Sequence, residues 1–470
     1  MLEFHKQKPK NPSKTDPEKR IKDFQEIYSQ FDNKTSIEQS SRCSQCGVPY
    51  CQIHCPLNNN IPDWLKYIAE DRLEEAYQVS SSTNVFPEVC GRVCPQDRLC
   101  EGNCVVEQAG FGAITIGNLE KYLTELAWEK GWVKNIEVNN SSKKKVAIIG
   151  SGPAGMAASS YLIQNGYQVD VFEKNDRVGG LMIYGIPNFK LDKSIVERRT
   201  DWLTNSGVKF HVNKEIGKDL IFQDLEKNYD AILVATGVYK ARKLDIETSN
   251  INNSLPALDF LIESNKVGLG DIPSSNKYLS AKDKHVVVIG GGDTAMDCVR
   301  TAIRQKAKEV TCLYRRNKEN MPGSAREVLN AEQEGVKFNW LAVPSKIISE
   351  KSEASSLSYK VATLGEADET GRRKPLDTGI EKQIRSDLII QALGFEPEDL
   401  NSLFNTDLEL TSWNTVKVDF KRFQTSNPKV FAAGDIVRGA SLVVWAIHDG
   451  REVAKSIHQF LQSNQIKKAS

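Results

Sequence analysis

Eight of the ten cysteines in this 470-residue chain lie between Cys43 and Cys104. They come as Cys43, Cys46, Cys51 and Cys55-Pro56, then Cys90, Cys94-Pro95, Cys100 and Cys104. A segment with so many thiols has to be built around whatever they hold. Thiolates two to five residues apart can converge on one small inorganic core, and a proline after the last of a set is a habit of iron-sulfur ligation. Two groups of four predict two clusters. Zinc, which C-x2-C knuckles also bind, is the rival, but it would have no electron role.

The rest of the chain narrows the choice. Residues Met1 to Lys14 lack the apolar stretch of a signal peptide, and no later segment approaches a membrane span. A soluble cytoplasmic protein is expected, in which thiols stay reduced, and this argues against a disulfide framework. Lys plus Arg number 62 against 61 Asp plus Glu, so the net charge of +1 offers no field for nucleic acid or a membrane surface. At roughly 150 residues per domain the length predicts about three domains.

Thr15-Asp16-Pro17-Glu18 carries an N-cap, a first-turn proline and a capping-box glutamate, and Ile21, Phe24, Ile27, Tyr28 and Phe31 follow at helical spacing. A short docking helix is predicted there. Further helices are expected around Trp64, Leu65 and Ile68, around Leu73, Ala76 and Tyr77, and from Leu119 to Ala127. The polar run 139–145 marks the first domain boundary. Beyond it, the apolar runs 146–149, 169–172, 231–234, 286–289, 310–313 and 388–390 alternate with helical patterns, as in parallel doubly wound sheets. The polar stretch 350–385 predicts a hairpin or surface strands.

Two of these strands end in glycine loops. Gly150-Ser-Gly152-Pro-Ala-Gly155 opens a small-residue helix, and the acid Glu173 ends the next strand, where it would bond a ribose diol. Gly290-Gly-Gly292-Asp-Thr-Ala295 repeats the unit, but its following strand ends in Tyr314-Arg315-Arg316. Arginines at that place suit a 2'-phosphate, so NADPH is favoured over NADH. A nicotinamide and one-electron clusters need a converter, and a flavin takes up two electrons as hydride and releases them singly. No cysteine pair stands beside either loop; Cys298 and Cys312 form no C-x-x-C motif and are read as buried apolar side chains.

The motifs Arg42-Cys-Ser-Gln-Cys-Gly47, Ile61-Pro-Asp-Trp-Leu-Lys66, Pro87 to Gly102 and Ala113 to Glu120, with both glycine loops and Val430-Phe-Ala-Ala-Gly-Asp435, closely resemble the small (beta) subunits of NADPH-dependent bacterial glutamate synthases. The N-terminal half of dihydropyrimidine dehydrogenase and related ferredoxin-linked transhydrogenase subunits share the architecture. The resemblance implies an electron-input subunit that moves hydride from NADPH to FAD and electrons through two 4Fe-4S clusters to a large alpha subunit. That partner would make glutamate from glutamine and 2-oxoglutarate.

Carried onto this chain, the resemblance implies one cluster on Cys43, Cys46, Cys51 and Cys104, and another on Cys55, Cys94 and Cys100 with Glu120 as its fourth ligand. Cys90 is the alternative to Glu120. Gly434 and Asp435 would face the ribityl chain of FAD, and the helix near Val444 would face its ring; His448 and Asp449 are read as helix-surface or packing residues. The implied fold is α/β: two Rossmann-like doubly wound dinucleotide-binding domains preceded by an α-helical iron-sulfur domain. Residues 1–142 would hold the clusters, 143–254 with 387–470 FAD, and the insertion 255–386 NADPH, with chain crossings at 235–237 and 392–394.

Replacing Arg315 and Arg316 together by alanine should raise the Michaelis constant for NADPH roughly ten- to a hundredfold, as for the loss of charged hydrogen bonds, and that for NADH little. Equal effects on the two nucleotides contradict the assignment.

Overall fold

Three patterns of hydrophobicity build three bodies. The computed structural model describes every residue except 139–141, 247–250, 274–275, 370, 372 and 470, and the side chains of 464–469 are also left aside. The predicted boundary at 139–145 lies partly outside the described residues.

The cysteine-bearing body is helical. Its core forms where Ile61–Ala69 turns Trp64, Leu65 and Ile68 inward against Ala76, Leu119 and Leu123, all nearly or fully buried. Asn59 accepts the Trp64 indole N–H at 2.9 Å, so the largest core side chain leaves no polar atom unpaired. Leu73–Ser81 and Ile116–Glu129 complete the three predicted helices. Pro87–Val93 crosses Ile116–Glu129 so closely that a Cβ on Gly91 would lie 2.7 Å from the Gly117 carbonyl.

The buried β-branched runs become two five-stranded parallel sheets. The first runs Val430–Ala432, Ala231–Val234, Lys145–Ile149, Gln168–Phe172, Lys209–His211. The second runs Ser254–Pro256, Leu388–Gln391, His285–Ile289, Glu309–Tyr314, Lys337–Trp340. Between them the chain crosses twice, and the crossings pair as a short antiparallel ribbon, Lys240–Ala241 with Phe395–Glu396. Because Leu388–Gln391 pairs with His285–Ile289, the second crossing comes after Gln391, at the expected crossing 392–394 and a few residues beyond the expected domain boundary at 386. The polar stretch forms an antiparallel three-stranded sheet, Ala342–Glu350, Glu353–Ala367 and Arg373–Arg385, whose last strand is largely exposed.

The docking helix does not extend as its periodicity predicts. Only Pro17–Arg20 is helical, and the Asp16 side chain makes no cap bond. The chain instead doubles back, with Thr15 N donating to Ile27 O at 2.9 Å and Ser29 N to Ser13 O at 3.0 Å. Tertiary partners override the local pattern: Arg20 is 1% exposed and reaches Glu334 at 2.7 Å. Glu334 also meets Arg300 at 2.8 Å and Arg304 at 2.7 Å, and Arg300 meets Glu327 at 2.5 Å. Burial alone would push the Glu334 carboxyl up, but the hydrogen bonds and charge of Arg300 and Arg304 outweigh it and hold the group down to about 2.

A carboxyl held below its unfolded value adds stability above that value and loses it as pH falls toward the folded one. Glu334→Gln should therefore cost about 3–5 kcal/mol at neutral pH, as for breaking a buried pair. The difference from the unaltered chain should shrink between roughly pH 4.5 and pH 2. Denaturant unfolding at both ends of that range measures it; an unchanged midpoint at pH 7 contradicts the role.

Candidate functional site

The first glycine loop opens onto a cavity. Each glycine there has a distinct steric reason. A Cβ on Gly150 would lie 2.4 Å from Ala235 O, and one on Gly155 would lie 2.1 Å from Gly150 O, whereas Gly152 faces open space. That opening, at the N-terminal end of the helix Pro153–Gln164, leaves room for a diphosphate on free backbone N–H groups. Glu173 lines the cavity and is tied in place: it accepts from Ser151 N at 3.1 Å, Ser151 Oγ at 2.6 Å, and Asn175 N and Nδ2 at 2.8 Å each.

At the far side Gly434, with φ of 78°, sits with its missing Cβ 3.0 Å from Ala154, and Asp435 follows it on the cavity wall. Burial pushes the Asp435 carboxyl up to about 6, aided by the nearby Asp449 charge. Thr236 Oγ1 is buried in the same wall without a partner. An unpaired hydroxyl and a buried carboxyl fit a ligand that carries its own hydroxyl groups, so the residues present suit a flavin dinucleotide. Asp449 is fully buried and clamped by Arg438 at 2.5 and 2.7 Å, with His448 at 3.1 Å, a packing arrangement as expected.

The second loop has the same construction. Cβ atoms on Gly290 and Gly291 would strike Ala392 O at 2.2 Å and the Tyr314 ring at 2.4 Å, while Gly292 is open where Asp293–Arg304 begins. Ala295 is fully buried against the sheet, in the place of the third glycine. The segment before Ala325–Gln333 folds onto the loop, with Gly323 N donating to Gly291 O at 2.9 Å and Ser324 N to Asp293 Oδ1 at 3.0 Å. Arg315 and Arg316 follow the adjacent strand Glu309–Tyr314. Arg315 is exposed and Arg316 half-buried, donating to Arg373 O at 2.9 Å. Among the described residues neither forms an ion pair, so both guanidinium charges remain available to an anion.

The cysteines fall into two cavities rather than two consecutive fours. Cys43, Cys46, Cys51 and Cys104 line one; Cys55, Cys94, Cys100 and Glu120 line the other, with Cys90 in the same wall. Burial, then neighbouring thiols, push Cys51 up to about 12; burial and the Glu120 charge push Cys55 up to about 11. Such sulfurs become thiolates only beside a compensating cation. Each set of donors lines one cavity, as a bound inorganic core requires.

Cys90 and Glu120 stand against each other in one cavity. Glu120 is driven up to about 8 by burial, and only Asn84, donating at 3.1 Å, counters this. Cys90 is hydrogen-bonded with Cys94 and lies near Asn84. The turn bearing Cys100 is fixed by Gln96, whose carbonyl accepts from Glu101 N at 2.9 Å and Gly102 N at 3.0 Å. Arg42, fully buried, donates to the carbonyls of Phe111, Gly112 and Ala113 at 2.6–2.9 Å and so sets the chain beside Cys43. Asn84 had no signal in the sequence, while Gln96 lies in the motif from Pro87 to Gly102 and Thr236 in the crossing 235–237, where only the fold reveals what their polar atoms do. Arg42 sits inside a recognisable motif, but its role required the contacts.

The start of the C-terminal helix Val443–Ala469 separates the two kinds of site. Val443 faces the glycine-loop cavity and Val444 the Cys55 cavity. Gly450 allows this helix to lie against Pro153–Gln164, its missing Cβ 2.3 Å from Ala154 O. Arg451 reaches the other way, to Leu57 O and Thr83 O at 3.0 Å each. Cys298 and Cys312 are fully buried in the second sheet's core, away from both cavities.

Comparison with known proteins agrees with this division. The family model for dihydropyrimidine dehydrogenase domain II, 4Fe-4S cluster, matches residues 20–132, and that for pyridine nucleotide-disulphide oxidoreductase matches 144–450. The glutamate synthase [NADPH] small chain of Azospirillum brasilense is 53% identical over 98% of this chain and 97% of its own. The protein of the same name in Escherichia coli K12 is 44% identical over 97% and 96%. Among solved structures, FprA from Mycobacterium tuberculosis superposes with a TM-score of 0.59 at 18% identity over 70% of this chain and 86% of that one, a likeness of fold alone. Helical cysteine body, two glycine-loop sheets and near full-length identity together mean that this chain belongs to the family of the NADPH glutamate synthase small chains.

Proposed function

We propose that the chain is the electron-input subunit of a glutamate synthase. It oxidises NADPH by hydride transfer to FAD and passes electrons singly through two 4Fe-4S clusters to the large (alpha) subunit, which forms glutamate from glutamine and 2-oxoglutarate. The observation that carries this reading is the shared wall: Val443 and Val444 are neighbours in sequence, yet one lines the glycine-loop cavity and the other a thiol cavity. When bound, a flavin joins two-electron nicotinamide chemistry to one-electron iron chemistry.

Each residue has a task in this reading. Gly150, Gly152 and Gly155 open the backbone to the FAD diphosphate, Glu173 holds a ribose, and Asp435 and Thr236 take hydroxyls of the ribityl chain. Gly290, Gly292 and Ala295 do the same for NADPH, with Arg315 and Arg316 on its 2'-phosphate. Cys43, Cys46, Cys51 and Cys104 hold the outer cluster; Cys55, Cys94, Cys100 and Glu120 hold the one nearer the flavin. Glu120 is preferred to Cys90 because, among the described residues, its buried carboxyl has a single side-chain hydrogen-bond donor, Asn84, whereas Cys90 is already hydrogen-bonded with Cys94.

Two experiments test this. Iron counts should stay near about eight per chain in Cys90→Ser and fall to about four in Glu120→Ala, as for loss of one four-iron cluster; loss of a cluster in Cys90→Ser defeats the Glu120 assignment. Mixed with a glutamate synthase large chain, the protein should oxidise NADPH only when glutamine and 2-oxoglutarate are both present. Oxidation with a dihydropyrimidine or ferredoxin acceptor in its place moves the assignment to the related reductases.

A further inference from the structure

The two glycine loops lie in different bodies, so transfer between their ligands depends on what holds those bodies in register. Their direct contacts combine polar pairs, Arg177 with Asp271 at 2.6 Å, Lys190 with Asp297 at 3.1 Å and Asn265 Nδ2 to Tyr184 O at 2.8 Å, with Ile262 and Leu269 packed on the flavin body's core, beside the two-residue ribbon. Relative motion between domains of one chain is the default unless their interface is large and hydrophobic.

We infer that residues 14–31 are a brace that sets the nicotinamide body against the flavin and cysteine bodies, with Arg20 and Glu26 as its positioning residues; this rests on the proposed NADPH-to-FAD transfer. One end grips the C-terminal end of the helix Ala325–Gln333. Arg20 donates to Glu334 at 2.7 Å and to Asn330 O at 3.2 Å, and Lys14 Nζ donates to Gln333 Oε1 at 2.7 Å and Asn330 Oδ1 at 3.0 Å. Two cations at the carbonyl end of a helix also match its dipole.

The other end grips the remaining bodies. Glu26 accepts from Arg92 Nε at 2.5 Å and Lys121 Nζ at 2.7 Å, both on the crossed helices of the cysteine body. It also accepts from Asp192 N at 3.3 Å, and Asn188 Nδ2 donates to Phe24 O at 3.0 Å, so the flavin body is held too. The bond from Thr15 N to Ile27 O ties the two ends together. Movement of the nicotinamide body would pull Arg20 from Glu334 and leave its guanidinium buried without a carboxylate, so the brace resists that movement.

Arg20→Met removes only the brace's own bond, because Glu334 keeps Arg300 and Arg304. In the full chain with its cofactors, Arg20→Met and Glu26→Gln should each slow the limiting rate of flavin bleaching by NADPH roughly ten- to a hundredfold, the cost of a small misplacement. The NADPH concentration giving half that rate should move less than about threefold. Amide hydrogen exchange across Ala325–Gln333 should rise in both variants, including Glu26→Gln, which makes no bond to that helix. Arg20→Lys should recover part of the rate.

The exchange readout needs no turnover. If NADPH fails to bleach the flavin of the unaltered chain, the NADPH reading fails, while raised exchange in the variants still upholds the brace. Should Arg20→Met not fold, Glu26→Gln carries the test from the other end. Unchanged exchange and bleaching in the folded variants overturn the inference, as does a rate lost only through weaker NADPH binding.

Discussion

The contact on which the rest of this molecule depends is the crossing of Pro87–Val93 and Ile116–Glu129, where Gly91 meets the Gly117 carbonyl with no space for a Cβ. The first helix carries Cys90 and leads into Cys94; the second carries Glu120 and Lys121. Only this close approach brings thiols and carboxylate to one cavity wall. It also turns Glu88 outward to meet Arg199 of the flavin body at 2.5 and 3.0 Å, fully buried. A larger side chain at Gly91 would separate the helices and with them both the ligand set and the seam between bodies, while one at Gly117 would strike the Gln96 side chain.

Charge is buried at each seam and paired across it, although Glu334 is also paired within its own body by Arg300 and Arg304. Glu88 and Arg199 join cysteine and flavin bodies, Lys190 and Asp297 join flavin and nicotinamide bodies, and Arg20 joins the N-terminal segment to Glu334. Buried pairs of this kind contribute modestly to net stability but are costly to break singly, so they specify an arrangement more than they strengthen it. For a protein whose proposed task is to keep three redox sites in register, that is the useful property. The thiol cavities work differently: burial keeps their raised thiols neutral, and they become charged only when a bound cation displaces the protons.

Much of this was legible in the sequence. The strands were, because runs such as Val286–Ile289 are apolar on both faces and suit only a covered parallel sheet. So was the position of each glycine loop between a strand and a helix, whereas the interleaving of Cys55 and Cys104 rests on the family resemblance. What escaped was long-range. The apolar spacing from Ile21 to Phe31 read as a helix, but its conformation is dictated by Arg20 and a carboxylate 314 positions away. Leu388–Gln391 read as part of the flavin body because nothing local tells which of two parallel sheets a buried strand joins. Thr236, Asn84 and Gln96 acquire meaning only from burial.

The most direct measurement of the central claim, that two thiol chambers in series form the path out of the flavin body, is diffraction from crystals of the loaded chain at the iron absorption edge. Two separate iron peaks are predicted, one ringed by Cys43, Cys46, Cys51 and Cys104, the other by Cys55, Cys94, Cys100 and Glu120 with Val444 between it and the flavin. A single iron peak, a zinc signal in either chamber, or an iron site bound by consecutive cysteines alone would contradict it.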